Sequence, residues 1–104
     1  MIEELNSDNF ENFVKEGSCV IDFYADWCGP CKMLAPEIDK ASEENNSVKF
    51  GKINIDNNQE LSQRFQVMSI PTLIIFENNK QIERHSGFIS SEDLSEKIKD
   101  SLNK

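Results

Sequence analysis

Residues 26–32 read DWCGPCK and set two of the chain's three cysteines, Cys28 and Cys31, either side of a Gly-Pro pair. Two thiols at that spacing can hold half of a zinc site, close a small structural staple, or form a disulfide that is made and broken in turn. Tetrahedral zinc wants four ligands, usually two such pairs or one pair with spaced histidines. Only Cys19 and His85 remain as usual ligand types, one opening an apolar run and the other alone in a separate segment, so ligand count and spacing disfavour a metal. The redox use has a mechanism. A cysteine just after a strand and at the start of a helix faces unpaired N–H groups and the positive end of the helix dipole, both of which favour thiolate over thiol. Cys28 is therefore expected to be the exposed nucleophile. Cys31, one turn further in and on the same side, is placed to attack a mixed disulfide and release the substrate. Gly29 and Pro30 suit a tight turn into the helix, where proline is tolerated.

The flanking sequence supplies the strand and the helix. CVIDFYA, residues 19–25, is nearly continuous in apolar and β-branched residues, as in a central strand covered on both faces. From Gly29 to about Asn45 the residues Met33, Leu34, Ile38 and Ala41 recur at helical spacing, with Pro36 expected to kink the middle. Upstream, an apolar start at Ile2 and Leu5 precedes a short helix in which Phe10, Phe13 and Val14 share a face, Ser7 or Asp8 is the expected cap and Gly17 the expected end. Downstream, VKFGKINI (48–55) reads as a strand, and a short helix follows from about Asn58 to Phe65, capped by Asn57. IPTLIIFENNKQIERHSG reads as a hairpin turning at Asn78 and Asn79. SSEDLSEKIKDSL closes the chain as an amphipathic helix capped by Ser90 or Ser91. The order βαβαβαββα predicts an α/β fold, a mixed five-stranded sheet flanked by four helices.

With 104 residues the chain is expected to be a single domain, 1–104. No apolar run approaches the ~20 residues that cross a bilayer. The start, MIEELNSDNF, has neither the basic and apolar stretches nor the cleavage site of a secretory signal, so a chain complete as given is expected to stay in the cytoplasm. Net charge is −8, with the eleven Lys and Arg scattered, which disfavours a nucleic-acid partner. An odd number of cysteines without an export signal argues against a disulfide framework.

Taken together these motifs resemble the thioredoxin family. WCGPC followed by Lys32, Asp22 six residues before Cys28, the KINID stretch, Ile70-Pro71-Thr72 and Gly87 after the last strand all stand at that family's spacing, nearly end to end. The resemblance implies the thioredoxin fold and a protein-disulfide reductase that works as a monomer on disulfide-containing client proteins. It also implies re-reduction by a thioredoxin reductase, and no bound cofactor beyond a redox-active Cys28–Cys31 disulfide. Departures are modest: Asn78-Asn79 replaces the usual Asn-Gly turn, Tyr24 stands where tryptophan is frequent, and Ser86 where a small apolar residue is common.

Supporting residues follow. Asp22 is a lone carboxylate among apolar neighbours, either facing water at a strand edge or buried as the proton acceptor for Cys31. Lys52 reads by itself as a solvated strand residue; the resemblance places it beside Asp22 as its partner. Proline at the start of a strand is ordinarily trans, whereas the resemblance makes the Ile70-Pro71 bond cis and sets Pro71 against the cysteines, leaving the Ile70 backbone free to pair with an extended substrate. Trp27, Gly29, Pro30, Ile55, Ile70, Gly87 and Phe88 are expected to form an apolar apron around Cys28 that binds the client, with core packing the alternative for Ile55 and Phe88. Cys19 reads as a buried small hydrophobe and His85 as a solvated strand residue. Two rival functions use the same fold: a disulfide oxidase or isomerase, which an exported location would favour, and a binding subunit that needs neither cysteine.

Overall fold

A computed structural model describes residues 2–102; the outermost positions of the expected 1–104 domain lie outside the described residues. The elements run β1 (Ile2–Glu4), α1 (Phe10–Val14), β2 (Ser18–Tyr24), α2 (Gly29–Glu44), β3 (Val48–Asn54), a 3-10 turn (Ile55–Asn57), α3 (Gln59–Arg64), β4 (Thr72–Glu77), β5 (Lys80–Ser86) and α4 (Ser91–Leu102). The five strands form one sheet in the order β1-β3-β2-β4-β5. β1 and β2 lie parallel to β3, while β4 runs antiparallel to both β2 and β5. The expected mixed sheet with four helices is the fold found. β2 is central because its apolar run can be covered on both faces, and its middle five residues are buried.

Side-chain alternation splits the core in two. Val20, Phe50, Leu73 and Ile75 pack with Leu34, Ile38 and Ala41 of α2 and Leu94 and Ile98 of α4. On the other face Cys19, Ile21, Phe23, Ile53, Ile74 and Phe76 pack with Phe10, Val14 and Leu61. Asp22 has the parity of Val20, so it points towards α2, the helix that carries Cys31.

The expected caps are corrected at two helix starts. Neither Ser7 nor Asp8 caps the first helix. The residue before α1 is Asn9, which makes no side-chain capping bond to the helix; Asn6 instead holds the turn leading into it, its Oδ1 accepting from the N–H groups of Asp8 (2.8 Å) and Asn9 (3.2 Å) while Asn9 Oδ1 accepts from the Asn6 N–H at 2.7 Å. This reciprocal pair of asparagines fixes the turn that enters the helix. At α3 the flanking residue is Asn58, not Asn57, because Ile55–Asn57 leaves the strand for the 3-10 turn, held by Asn54 Oδ1 accepting from the Asp56 N–H at 2.9 Å. For α4 the choice falls on Ser90, whose Oγ accepts from the Asp93 N–H at 3.1 Å. α2 runs from Gly29 to Glu44 with Pro36 inside it. The hairpin turns at Asn78 and Asn79, with φ of 49° and 72°, both left-handed as a two-residue type I′ turn requires.

Candidate active site

Cys28 is the residue that starts α2. Its backbone is extended (φ −88°, ψ 111°), and its Sγ takes the place of the usual capping oxygen, accepting from the Cys31 N–H at 3.2 Å. Pro30 lies in the first turn, where its missing N–H removes nothing from the helix. One turn of helix brings the two Cα atoms to 5.3 Å, and the sulfurs are joined as a disulfide. The expected exposure of Cys28 is corrected: it is 4% exposed, against 5% for Cys31. The two cysteines cluster with buried Ala25, and Tyr24, Ile55 and Ile70 pack against that cluster. What separates the two cysteines is therefore not exposure but the N–H aimed at Cys28 Sγ.

The loop before β4 closes over this pair. The Ile70-Pro71 bond is cis, and the Ile70 carbonyl oxygen lies 4.0 Å from Cys28 Sγ. Thr72 Oγ1 donates to the Ser69 carbonyl at 2.6 Å, and the Gly87 N–H donates to the Pro71 carbonyl at 2.8 Å, tying the loop to the end of β5. Gly87 has φ +94°, a conformation that a side chain would strain. Of the expected apron, Ile55 and Ile70 pack on the cysteines, Gly29 and Pro30 are exposed beside them, and Trp27 is 67% exposed. Phe88 is 50% exposed next to Gly87; its carbonyl lies 3.2 Å from His85 Nε2. A residue not expected from the sequence, Asp56, fixes the indole: Trp27 Nε1 donates to its Oδ2 at 2.8 Å. An aspartate in a turn 29 residues away carries no signal in the sequence that would link it to Trp27.

Behind the disulfide lies a cavity of about 180 Å³ lined by Asp22, Tyr24, Ala25, Asp26, Cys31, Lys32, Ala35 and Lys52. Asp22 is 6% exposed, and its Oδ1 is buried without a hydrogen-bond partner. Burial pushes its carboxyl up from an ordinary 3.8 to about 7; Lys52 pulls it back and Glu4 adds to the rise. Lys52 faces Asp22 in the parallel register, yet its ion pair is with Glu4, Nζ to Oε1 at 3.8 Å. Lys52 and Asp22 therefore line the same cavity without forming an ion pair. Cys19 is fully buried on the opposite face, and burial pushes its thiol up to about 11 against the opposing charge of Lys49. Among the described residues no group of three or more His, Cys, Asp or Glu is placed to hold a metal ion.

This arrangement can carry two electrons as a disulfide, with a buried carboxyl in the cavity that Cys31 lines. The thioredoxin family model matches residues 1–100. A thioredoxin of Chlamydia caviae is 40% identical over 94 residues, covering 90% of this chain and 92% of that protein. One from Chlamydia pneumoniae is 40% identical over 98 residues, covering 94% and 96%. The crystal structure of a chloroplastic thioredoxin z superposes with a TM-score of 0.89 at 28% identity, covering 99% of this chain and 96% of that one. A sulfur-capped helix that carries both cysteines, met by homology over nearly the whole chain, places this protein in the thioredoxin family, as a thiol-disulfide oxidoreductase whose redox-active pair is Cys28 and Cys31.

Proposed function

We propose that the chain, working as one monomeric domain in the cytoplasm, reduces disulfides in client proteins and is itself re-reduced by a thioredoxin reductase. The Cys28 thiolate attacks one sulfur of a client disulfide, forming a Cys28–client bond and releasing the other client sulfur as a thiolate. Cys31 then loses its proton to Asp22 and attacks Cys28 Sγ. The client leaves with both sulfurs reduced, its two electrons supplied by the protein, and the Cys28–Cys31 disulfide remains. The reductase returns the electrons, and no bound cofactor or metal takes part. In this reading Trp27, Gly29, Pro30, Ile55, Ile70, Pro71, Gly87 and Phe88 receive the client chain, Pro71 positioning it along the Ile70 backbone, and Lys52 adjusts Asp22. Cytoplasmic electron transport and redox homeostasis are the corresponding cellular roles, without nucleic acid or membrane.

The observation that carries the reading is the N–H of Cys31 held on Cys28 Sγ at 3.2 Å. When the pair is reduced, the same donor stabilises negative charge on Cys28 ahead of Cys31. The test is reduction of insulin disulfides with dithiothreitol as electron source, comparing the chain with Cys31→Ser. The intact chain is expected to turn over many times, and the variant to stop after one attack, with client trapped on Cys28. Activity no greater than dithiothreitol alone overturns the assignment. Partner binding that survives loss of both cysteines, without turnover, favours the binding-subunit alternative.

A further inference from the structure

One row across the sheet holds three charged residues side by side. Glu4 of β1 is the register partner of Lys52 in β3, and Lys52 is the register partner of Asp22 in β2. Register partners on parallel strands project from the same face, so a single lysine stands between two carboxylates. Its two options differ in solvation. Towards Asp22 the ammonium would enter a site where the carboxyl is 6% exposed and would lose most of its water. Towards Glu4 it stays at the rim, where the two side chains are 42% and 54% exposed. The structure has it at the rim, 3.8 Å from Glu4 Oε1 and over the Tyr24 ring at 5.4 Å from the centroid. Glu4 is fixed there as well, because the Tyr24 hydroxyl lies 3.0 Å from both of its carboxylate oxygens. Asp22 Oδ1 is left with no partner.

We propose that Glu4 is a positioning residue that, anchored by Tyr24, holds the Lys52 ammonium at the mouth of the cavity and so keeps it from pairing with the Asp22 carboxyl. Tyr24 both supplies the hydroxyl that steadies Glu4 and offers the lysine a ring face. The other groups facing Asp22 do not substitute for this control. From α2 come Cys31, which is tied up in the disulfide, and Lys32, which is exposed; from the loop after β2 comes Asp26, also exposed and of the same sign; from β4 the register partner is apolar Leu73. Lys52 is thus the cation whose placement matters most for Asp22, and Glu4 is what it is bound to. The consequence is functional: an Asp22 neutralised by a nearby ammonium would stay ionised at lower pH and hold a proton less readily during resolution.

The inference rests on the proton-acceptor role proposed for Asp22, but its test does not. The Asp22 carboxyl is followed by carbon-13 NMR of the oxidised protein across the pH range in four forms: wild type, Glu4→Gln, Lys52→Met and the double variant. Glu4→Gln is expected to lower the Asp22 titration midpoint by about one pH unit, as Lys52 swings inward. In the Lys52→Met background the same substitution is expected to move the midpoint by less than half as much. Tyr24→Phe, which keeps every charge but frees Glu4, is expected to lower the midpoint by a smaller amount, and it supplies the test should Glu4→Gln not fold. An unchanged midpoint in Glu4→Gln, or in Tyr24→Phe where that variant stands in, overturns the proposal, as does an equal change with and without Lys52. Because the oxidised protein is used, a chain that proves inactive on insulin leaves this result intact.

Discussion

At the scale of single residues, Asp22 is where local chemistry and stability meet. Burial disfavours the charge and pushes the folded carboxyl up to about 7, whereas an unfolded chain gives up the proton near the ordinary 3.8. The folded state therefore binds this proton more tightly than the unfolded state. Its contribution to stability is fully present below about pH 4 and is lost as pH rises through the folded value near 7, after which the deficit is constant. Asp22→Asn removes that dependence. At pH 8 the oxidised variant is expected to be more stable by roughly 2 to 4 kcal/mol, since each pH unit separating the folded and unfolded midpoints is worth about 1.4 kcal/mol and the amide must itself be buried. At about pH 4 the gap is expected nearly to vanish. Urea melts of both forms at about pH 4, 6 and 8 check this, and a gap that does not widen with pH shows a solvated carboxylate. The lone Asp22 in an apolar strand was legible in the sequence; the direction it faces follows from strand parity once β2 is central. Glu4 and Asp56 were not legible, since nothing local marks a carboxylate whose partner arrives from another strand or turn.

At the scale of elements, short-range chemistry named the pieces and long-range contacts trimmed them. The helix of Cys28 was readable because Gly-Pro, the apolar spacing of Leu34, Ile38 and Ala41, and a preceding strand all agree. The caps were less readable, because several adjacent residues could serve. Before α1 neither Ser7 nor Asp8 is used: Asn6 and Asn9 pair reciprocally in the entering turn, and Asn9 also reaches the Glu4 carbonyl, Nδ2 to O at 3.3 Å. Just past the end of α3, Gln66 has φ of 52°, a conformation usually given to glycine, and there the Arg84 guanidinium from β5 donates to the carbonyls of Phe65 and Gln66. No pattern within α3 foretells a cap from a strand that comes after it. The hairpin gives the element-scale prediction. Asn78 exchanges two hydrogen bonds with Gly17, its N–H to the glycine carbonyl at 2.9 Å and its Oδ1 from the glycine N–H at 2.8 Å. Asn78→Ala loses one of them and places a side chain poorly suited to φ 49°, so a loss of about 2 to 3 kcal/mol is expected. Asn79→Gly, at φ 72°, removes a mild strain without losing a contact of that kind and is expected to be neutral or to stabilise by up to about 1 kcal/mol. Thermal melts of the two variants in opposite directions check the assignment of roles within the turn.

At the scale of the molecule, the proposed function gives net charge and the exposed apolar residues near the disulfide separate parts in meeting a client. The charge of −8 sets a long-range field, while Trp27 at 67% and Phe88 at 50% exposure offer short-range apolar contact near a disulfide. Field effects fade with salt and contact does not. A cationic disulfide peptide is therefore expected to be reduced faster than an anionic one of equal length at low ionic strength. That ratio should fall towards one as ionic strength rises from about 0.01 M to 1 M, over which the Debye length shrinks from about 30 to 3 Å. Stopped-flow reduction rates across that series check it; a ratio independent of salt assigns the preference to contact alone.

The sequence by itself determined the order of elements, the centrality of β2, the pairing of Cys28 with Cys31 in one helical turn, and the family to which these motifs belong. Each rests on interactions within a few residues: side-chain periodicity, turn-forming asparagines, and two cysteines that the helix pitch must bring together. Only the tertiary structure decided how exposed each cysteine is, which carboxylate Lys52 pairs with, and what holds Trp27. Those outcomes depend on burial and on competition between partners from distant strands. Lys52 shows why: Asp22 and Glu4 flank it equally in register, but water is lost around Asp22 only once α2 covers the sheet, and the ion pair forms at the wetter rim.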